Sequence, residues 1–137
     1  MNRELSLFTY NDPKSPISEV FRTLRTNIKY ASFDKDVKTI VFTSPGPNEG
    51  KSTIAANYAV TLSNAGNKVL LMDCDLRNPS MHKIFKLANQ FGLANQLLKK
   101  CDYENSIQHT FIEGLDILAS GPKPPNPAEL LGSDMMK

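Results

Sequence analysis

The residues with most chemistry to offer sit in two short runs, Asn48-Glu49-Gly50-Lys51-Ser52-Thr53 and Asp73-Cys74-Asp75-Leu76-Arg77. In the first, Gly50 lets the backbone approach a phosphate with no side chain in the way. Lys51 adds a mobile full charge, and the Ser52 hydroxyl is a ligand type for Mg²⁺. Gly-Lys-Ser is the second half of the phosphate loop G-x-x-x-x-G-K-[ST], a signal with meaning only between a strand and a helix whose first N–H groups are unpaired. A strict match would place glycine where Pro45 stands, and Pro45 and Pro47 can donate no N–H. In the second run, residues two apart on an extended chain point to one side. Asp73 and Asp75 would therefore bring two carboxylates to the carboxyl edge of a sheet, where open α/β sheets bind their ligands. Carboxylates in that place hold Mg²⁺ or accept a hydroxyl proton.

Both runs depend on elements that the flanking residues supply. Thr39-Ile40-Val41-Phe42-Thr43 reads as a strand buried on both faces, leading into the loop. Ser52 to Ala65 is Ala-rich with apolar residues at helical spacing, and Gly66 stops it. Lys68 to Met72 reads as a second strand delivering the aspartates, and Leu115 to Ala119 as a third. Helical pieces are expected over 79–85, 93–100 and about 103–110. Asn126, Pro127 and Glu129 take the N-cap, N1 and N3 places of a last short helix. This alternation predicts an α/β fold, a P-loop-type parallel sheet of about three strands flanked by helices. Ahead of it, Ser15-Pro16 opens an amphipathic helix to about Ser32, with Ile17, Val20, Phe21, Leu24, Ile28 and Ala31 along one face. Glu19, Arg22, Arg25 and Lys29 occupy the other, which on residue types alone is a solvated face with ion pairs worth a few tenths of a kcal/mol each. Residues 1–14 are polar and unpatterned and read as a flexible arm, which leaves 15–137 as the domain.

Composition narrows the function classes. A length of 137 residues allows one domain at most, and 40% hydrophobic with 22% charged residues is ordinary for a folded soluble protein. A net charge of +2 is far from that of a nucleic-acid module, so no nucleic-acid partner is expected. The charge is unevenly spread: Arg77, Lys83, Lys86, Lys99 and Lys100 share the stretch from Leu76 to Lys100 with no acid, a place for an anionic ligand. Cys74 and Cys101 fall in no metal-ligand spacing and read as buried free thiols. His82 and His109 show no ligand spacing and no evident nucleophile partner, and read as structural or surface residues. No apolar run is long enough to span a bilayer, and the start lacks the apolar run of a signal peptide, so a cytoplasmic chain is expected.

With both motifs placed, the sequence resembles the bacterial protein-tyrosine kinases of capsule and exopolysaccharide operons, the BY-kinases. Pro47 to Thr53 resembles their Walker A segment. Val69 to Arg77, an apolar run then Asp-x-Asp-x-Arg, resembles their Walker A′ strand. Ser18 to Asn27 resembles the family's Glu-x-x-Arg-x-x-Arg helix, and Ser120 to Leu131 resembles the segment after its third strand.

The resemblance implies an autophosphorylating, ATP-dependent tyrosine kinase in which Lys51 and the loop residues Asn48 to Thr53 hold the ATP phosphates. It also implies Mg²⁺ on Ser52 and Asp73, Asp75 where a substrate tyrosine loses its proton, and Arg77 beside the phosphate charge. Glu19, Arg22 and Arg25 would join subunits into a homo-oligomeric ring. Protein tyrosines would be the substrates. A membrane-anchored activator would complete the nucleotide site and keep the chain at the inner face of the cell membrane. The family's Walker B strand and terminal tyrosine cluster do not occur within these residues, so the chain reads as the N-terminal part of such a domain. Two alternatives stay open: a partition or cell-division ATPase, against which the lack of an early loop lysine counts, and a non-catalytic nucleotide-binding or oligomerisation fragment.

Overall fold

The computed structural model describes residues 7–137, with backbone alone at Tyr103. The fold divides into two compact units, one ending at Lys68 and the other running from Val69 to Lys137.

The first unit is helical. Helix α2, Pro16–Ala31, starts where Ser15 and Pro16 predict: the Ser15 side chain accepts from Ser18 N–H, and proline occupies the first turn. Its apolar stripe is only partly covered. Phe21, Leu24 and Ile28 are half-buried, whereas Ile17 is 48% and Val20 65% exposed. Helix α3, Lys51–Asn64, is buried over Ala55–Thr61, and its alanines let neighbouring backbone approach closely.

Within the segment expected to be a flexible arm, Phe8–Asn11 forms a turn of helix, α1, docked on α3; residues 1–6 lie outside the described residues. The dock is polar. Thr9 N–H and Oγ1 each donate to Asn57 Oδ1 at 3.0 Å, with both residues buried, and Asn57 Nδ2 donates to Thr53 O at 2.8 Å. The Ser18 hydroxyl closes the α1–α2 turn by donating to Asp12 O at 2.6 Å. An apolar pattern cannot announce a contact made by a threonine and an asparagine.

The strand expected at 39–43 is not formed. The segment is unpaired and Val41 is 81% exposed; only Phe42 turns inward, its ring 5.6 Å from that of Tyr58. A strand needs a hydrogen-bonding neighbour, and among the described residues of this unit there is none.

The second unit carries a three-stranded mixed sheet in the order β1-β3-β2. Strands β1, Val69–Met72, and β3, Leu115–Leu118, pair in parallel from Val69↔Leu115 to Met72↔Leu118. Strand β2, Ile107–His109, pairs antiparallel with β3, where a helix over 103–110 was expected; the residues before it, Tyr103–Asn105, make one 3₁₀ turn. Tyr103 and Ile107 have helical spacing, but Ile107 and His109 reach their partners Leu118 and Asp116 only on an extended chain. His109 thereby faces Asp116, Nδ1 to Oδ1 at 2.6 Å, as a cross-strand pair.

Short helices α4 (Met81–Ile84), α5 (Leu93–Leu97) and α6 (Pro127–Leu131) complete the unit. Its core gathers Leu76, Leu93, Leu97, Leu118 and Leu130, each contributing about 2 kcal/mol by burial. At α6 the Asn126 side chain donates to the Glu129 carboxylate at 3.3 Å rather than capping the helix backbone. A Cβ on Gly92 would lie 2.2 Å from Ala119 O, so only glycine lets α5 start against the end of β3. The helix start is anchored there by Leu93 N–H on Ala119 O and Ala94 N–H on Ser120 O, both 2.8 Å.

Candidate functional site

The first unit places the predicted phosphate loop at the start of α3. Asn48 and Gly50 both have positive φ, 58° and 83°, so the chain folds into a concave turn of backbone amides just before Lys51. Gly50 is the N-cap, and no side chain caps the helix. The N–H groups of Gly50, Ser52 and Thr53 have no hydrogen-bond partner among the described residues. Nor does the half-buried Ser52 hydroxyl. A four-turn helix that begins uncapped, with its dipole's positive end and a lysine at its first position, suits a polyphosphate. Glu49 is exposed, with a carboxylate oxygen 3.2 Å from the Cβ position of Gly46; Ser44 donates to Gly46 O at 2.8 Å and closes the loop's base.

Glu19, Arg22 and Arg25 also lie in the first unit, and the chain itself engages all three. Arg22 reaches Glu19 Oε2 from Nη2 at 2.7 Å and donates to Pro13 O from Nη1 at 2.7 Å. Arg25 Nη1 donates to Thr61 O at 2.7 Å. That carbonyl is among the last four of α3, and Ala65 N–H goes to Leu62 and Ser63 instead. Arg25 is thus a cationic cap on the negative end of the phosphate-loop helix. Burial pushes the nearby Tyr58 hydroxyl above its ordinary value, and the Arg25 charge offsets part of that rise.

Arg25→Ala should therefore lower chain stability by about 1.5 kcal/mol by a mechanism internal to one subunit. Urea unfolding at two protein concentrations tests this. A loss that disappears on dilution would mean that Arg25 acts only between subunits.

The second unit holds the carboxylates, and they are not equivalent. Asp73 is 3% exposed and its backbone still bonds the sheet, N–H to Leu118 O at 2.9 Å. Its Oδ1 accepts from Asp75 N–H at 3.1 Å, and its Oδ2 from Ser80 N–H at 3.0 Å and Met81 N–H at 3.1 Å. One carboxylate thus closes the turn after β1 and caps α4. With three of roughly four lone-pair directions taken, about one remains for a cation. Asp75 is half-exposed, and its Oδ1 accepts from Asn78 N–H at 3.0 Å. The expected side-by-side pair is thus one inward clasp and one outward carboxylate, because the chain turns at Asp73 instead of staying extended. Among the described residues no group of three or more His, Cys, Asp or Glu could hold a metal ion.

Arg77 is exposed and makes no ion pair among the described residues. Cys74, expected to be buried, is exposed where the turn leaves the strand, and Cys101 is half-buried. Partial burial and then the Asp73 charge push the Cys74 thiol above its usual range. Neighbours that residue types alone did not single out hold the segment after β3. Asn89 Oδ1 accepts from Gly121 N–H at 2.8 Å while its Nδ2 donates to Gly121 O at 3.1 Å, and Asn95 Oδ1 accepts from Gly92 N–H at 2.9 Å.

A loop of this kind at a helix start, followed by a parallel strand ending in aspartates, defines a P-loop nucleotide-binding protein. The protein-family profile described as ParA, NUBPL iron-transfer P-loop NTPase, matches residues 37–115, more than half of the chain, and the chain belongs to that family. Its sequence relatives are bacterial tyrosine kinases. The tyrosine-protein kinase YwqD of Bacillus subtilis is 51% identical over 96% of this chain and 56% of its own length. The putative tyrosine-protein kinase CapB of Staphylococcus aureus is 44% identical over 93% and 56%. Among solved structures, the chimerical protein CapA2B2 superposes with a TM-score of 0.91 at 52% identity, covering 96% of this chain and 57% of that one. The kinase domain of Escherichia coli tyrosine kinase ETK gives 0.89 at 32% identity, over 95% and 51%. The chain spans little more than half the length of these relatives. No helix among the described residues is long and apolar enough to cross a membrane.

Proposed function

We propose that this chain is part of an autophosphorylating protein-tyrosine kinase that transfers the γ-phosphoryl group of ATP to protein tyrosines and regulates capsule or exopolysaccharide synthesis. The observation that carries the reading is the uncapped α3 N-terminus behind Asn48 and Gly50, with Lys51 at its first position, in a chain half identical to a tyrosine kinase. In this reading the N–H groups of Gly50, Ser52 and Thr53 and the Lys51 ammonium hold the β- and γ-phosphates, and Asn48 and Glu49 shape the loop. The Ser52 hydroxyl and, on its own unit, the remaining lone-pair direction of Asp73 are each a ligand type for Mg²⁺, which would neutralise phosphate charge when bound. Asp75 takes the tyrosine hydroxyl proton, and Arg77 steadies charge on the phosphoryl group. Catalysis of this kind is positioning and electrostatics, to which the pre-folded amides and the mobile Lys51 charge both contribute.

Oligomerisation falls to the α2 face. Val20 stands exposed there beside Glu19, and a shallow groove of about 460 Å³ runs along Pro16, Glu19, Val20, Thr23, Leu24 and Asn27. A second copy covering that face would bury the apolar residues, consistent with a ring. A membrane-anchored activator is the expected partner and would hold the chain at the inner membrane face.

Incubating the chain with γ-labelled Mg-ATP and a glutamate–tyrosine copolymer tests the reading. Label recovered as phosphotyrosine supports it. Free phosphate with no labelled tyrosine would replace it with the ATPase alternative.

A further inference from the structure

The second unit contains a groove of about 690 Å³ lined by Arg77, Asn78, Lys123, Pro124, Pro125 and Pro127. It lies between the turn that follows the aspartates and the proline-rich connector after β3. We propose that this groove binds an acidic, tyrosine-bearing segment of the protein substrate, a proposal that rests on the kinase reading and names how that kinase selects its acceptor.

Charge is the first argument. Arg77 and Lys123 are both exposed, neither has an ion-pair or hydrogen-bond partner among the described residues, and no carboxylate lines the groove. Two cations left unneutralised on one wall favour an anionic occupant, and a guanidinium can meet a carboxylate or phosphate with two parallel bonds. The side chain of Asn78 is equally unengaged and offers both a donor and an acceptor to an extended peptide.

Shape and rigidity are the second. Pro125 and Pro127 supply accessible apolar rings against which an aromatic ring packs, and the three prolines remove N–H groups that would otherwise need water. The wall is held before any ligand arrives: Pro124 is buried, and Asn89 grips Gly121 with two hydrogen bonds. The α5 start closes on Ala119 and Ser120 through the contact that Gly92 permits. A fixed φ at each proline means little ordering on binding, so a shallow surface can still select. A volume near 700 Å³ holds one aromatic side chain and its acidic neighbours, within the usual range for ligand sites.

Fluorescence anisotropy on the full chain tests this with a labelled peptide in which glutamates flank one tyrosine. Lys123→Glu should weaken binding about tenfold while calorimetric affinity for Mg-ATP stays unchanged, and added salt should weaken the wild-type complex. The same peptide with tyrosine replaced by alanine, and one with lysines in place of glutamates, should each bind more weakly than the parent. An unchanged dissociation constant for Lys123→Glu overturns the proposal, as does tighter binding of an RNA homopolymer than of the peptide. Loss of Mg-ATP binding or of phosphotyrosine formation in the wild type would instead sink the kinase reading, so the two failures are separable.

Discussion

Replacing Lys51 by methionine should cut phosphotyrosine formation by at least about 100-fold and weaken Mg-ATP binding, with the fold intact. Lysine and methionine have similar helix propensity and length, so the first turn of α3 is preserved while its mobile charge is removed. What remains are backbone N–H groups and the helix dipole, which hold a phosphate but do not follow charge as it moves toward the acceptor. The effect should fall more on turnover than on nucleotide affinity, because the amides bind the ground state nearly as before. Labelling of tyrosine and titration with a fluorescent ATP analogue read the two separately. Equal labelling by wild type and variant would remove Lys51 from the mechanism.

Asp73→Ala should have the largest effect on stability, on the order of 3–5 kcal/mol. The substitution strands the N–H groups of Asp75, Ser80 and Met81, which now share one carboxylate at a nearly closed position. Domain stabilities of about 5–15 kcal/mol leave little margin for that loss. Asp73→Asn keeps one carbonyl oxygen and should lose roughly half as much. Urea midpoints for the three chains, without nucleotide, decide the point: an alanine variant within about 0.5 kcal/mol of wild type would show that the clasp contributes little. A metal role tests differently, since it appears only as a loss of Mg²⁺ dependence in a variant that still folds.

Where the sequence could be read, the residues acted through local rules. Ser15 and Pro16 place the start of α2, Gly50 and Gly66 bracket α3, and the apolar runs at Val69 and Leu115 pair in parallel as alternation predicts. Where it could not, a partner far along the chain decides. Ile107–His109 is a strand because β3 offers an edge at Asp116 and Leu118. Thr9 is buried because Asn57 receives it, and Ile40-Val41 stays unpaired for want of a neighbour. The place of Gly50-Lys51-Ser52 at the start of α3 was legible since the signal is contiguous. The different fates of Asp73 and Asp75 were not, because they depend on Ser80 and Met81 folding back to the strand end. Likewise Arg25, legible as a surface cation, ends on a carbonyl 36 residues away.

In the order β1-β3-β2, β1 has a strand on one side only among the described residues, and Leu70 and Met72 on its face are 40% and 36% exposed. An apolar strand edge of this kind invites pairing between chains, and burial of that sort strengthens in sulfate. Association through the α2 face, which would bury Val20, strengthens in the same direction. The mass of the isolated chain in solution is therefore a sum of two routes that respond alike to sulfate. A charge placed at Leu70 or at Val20 sorts one from the other before any stoichiometry is assigned to the helix face.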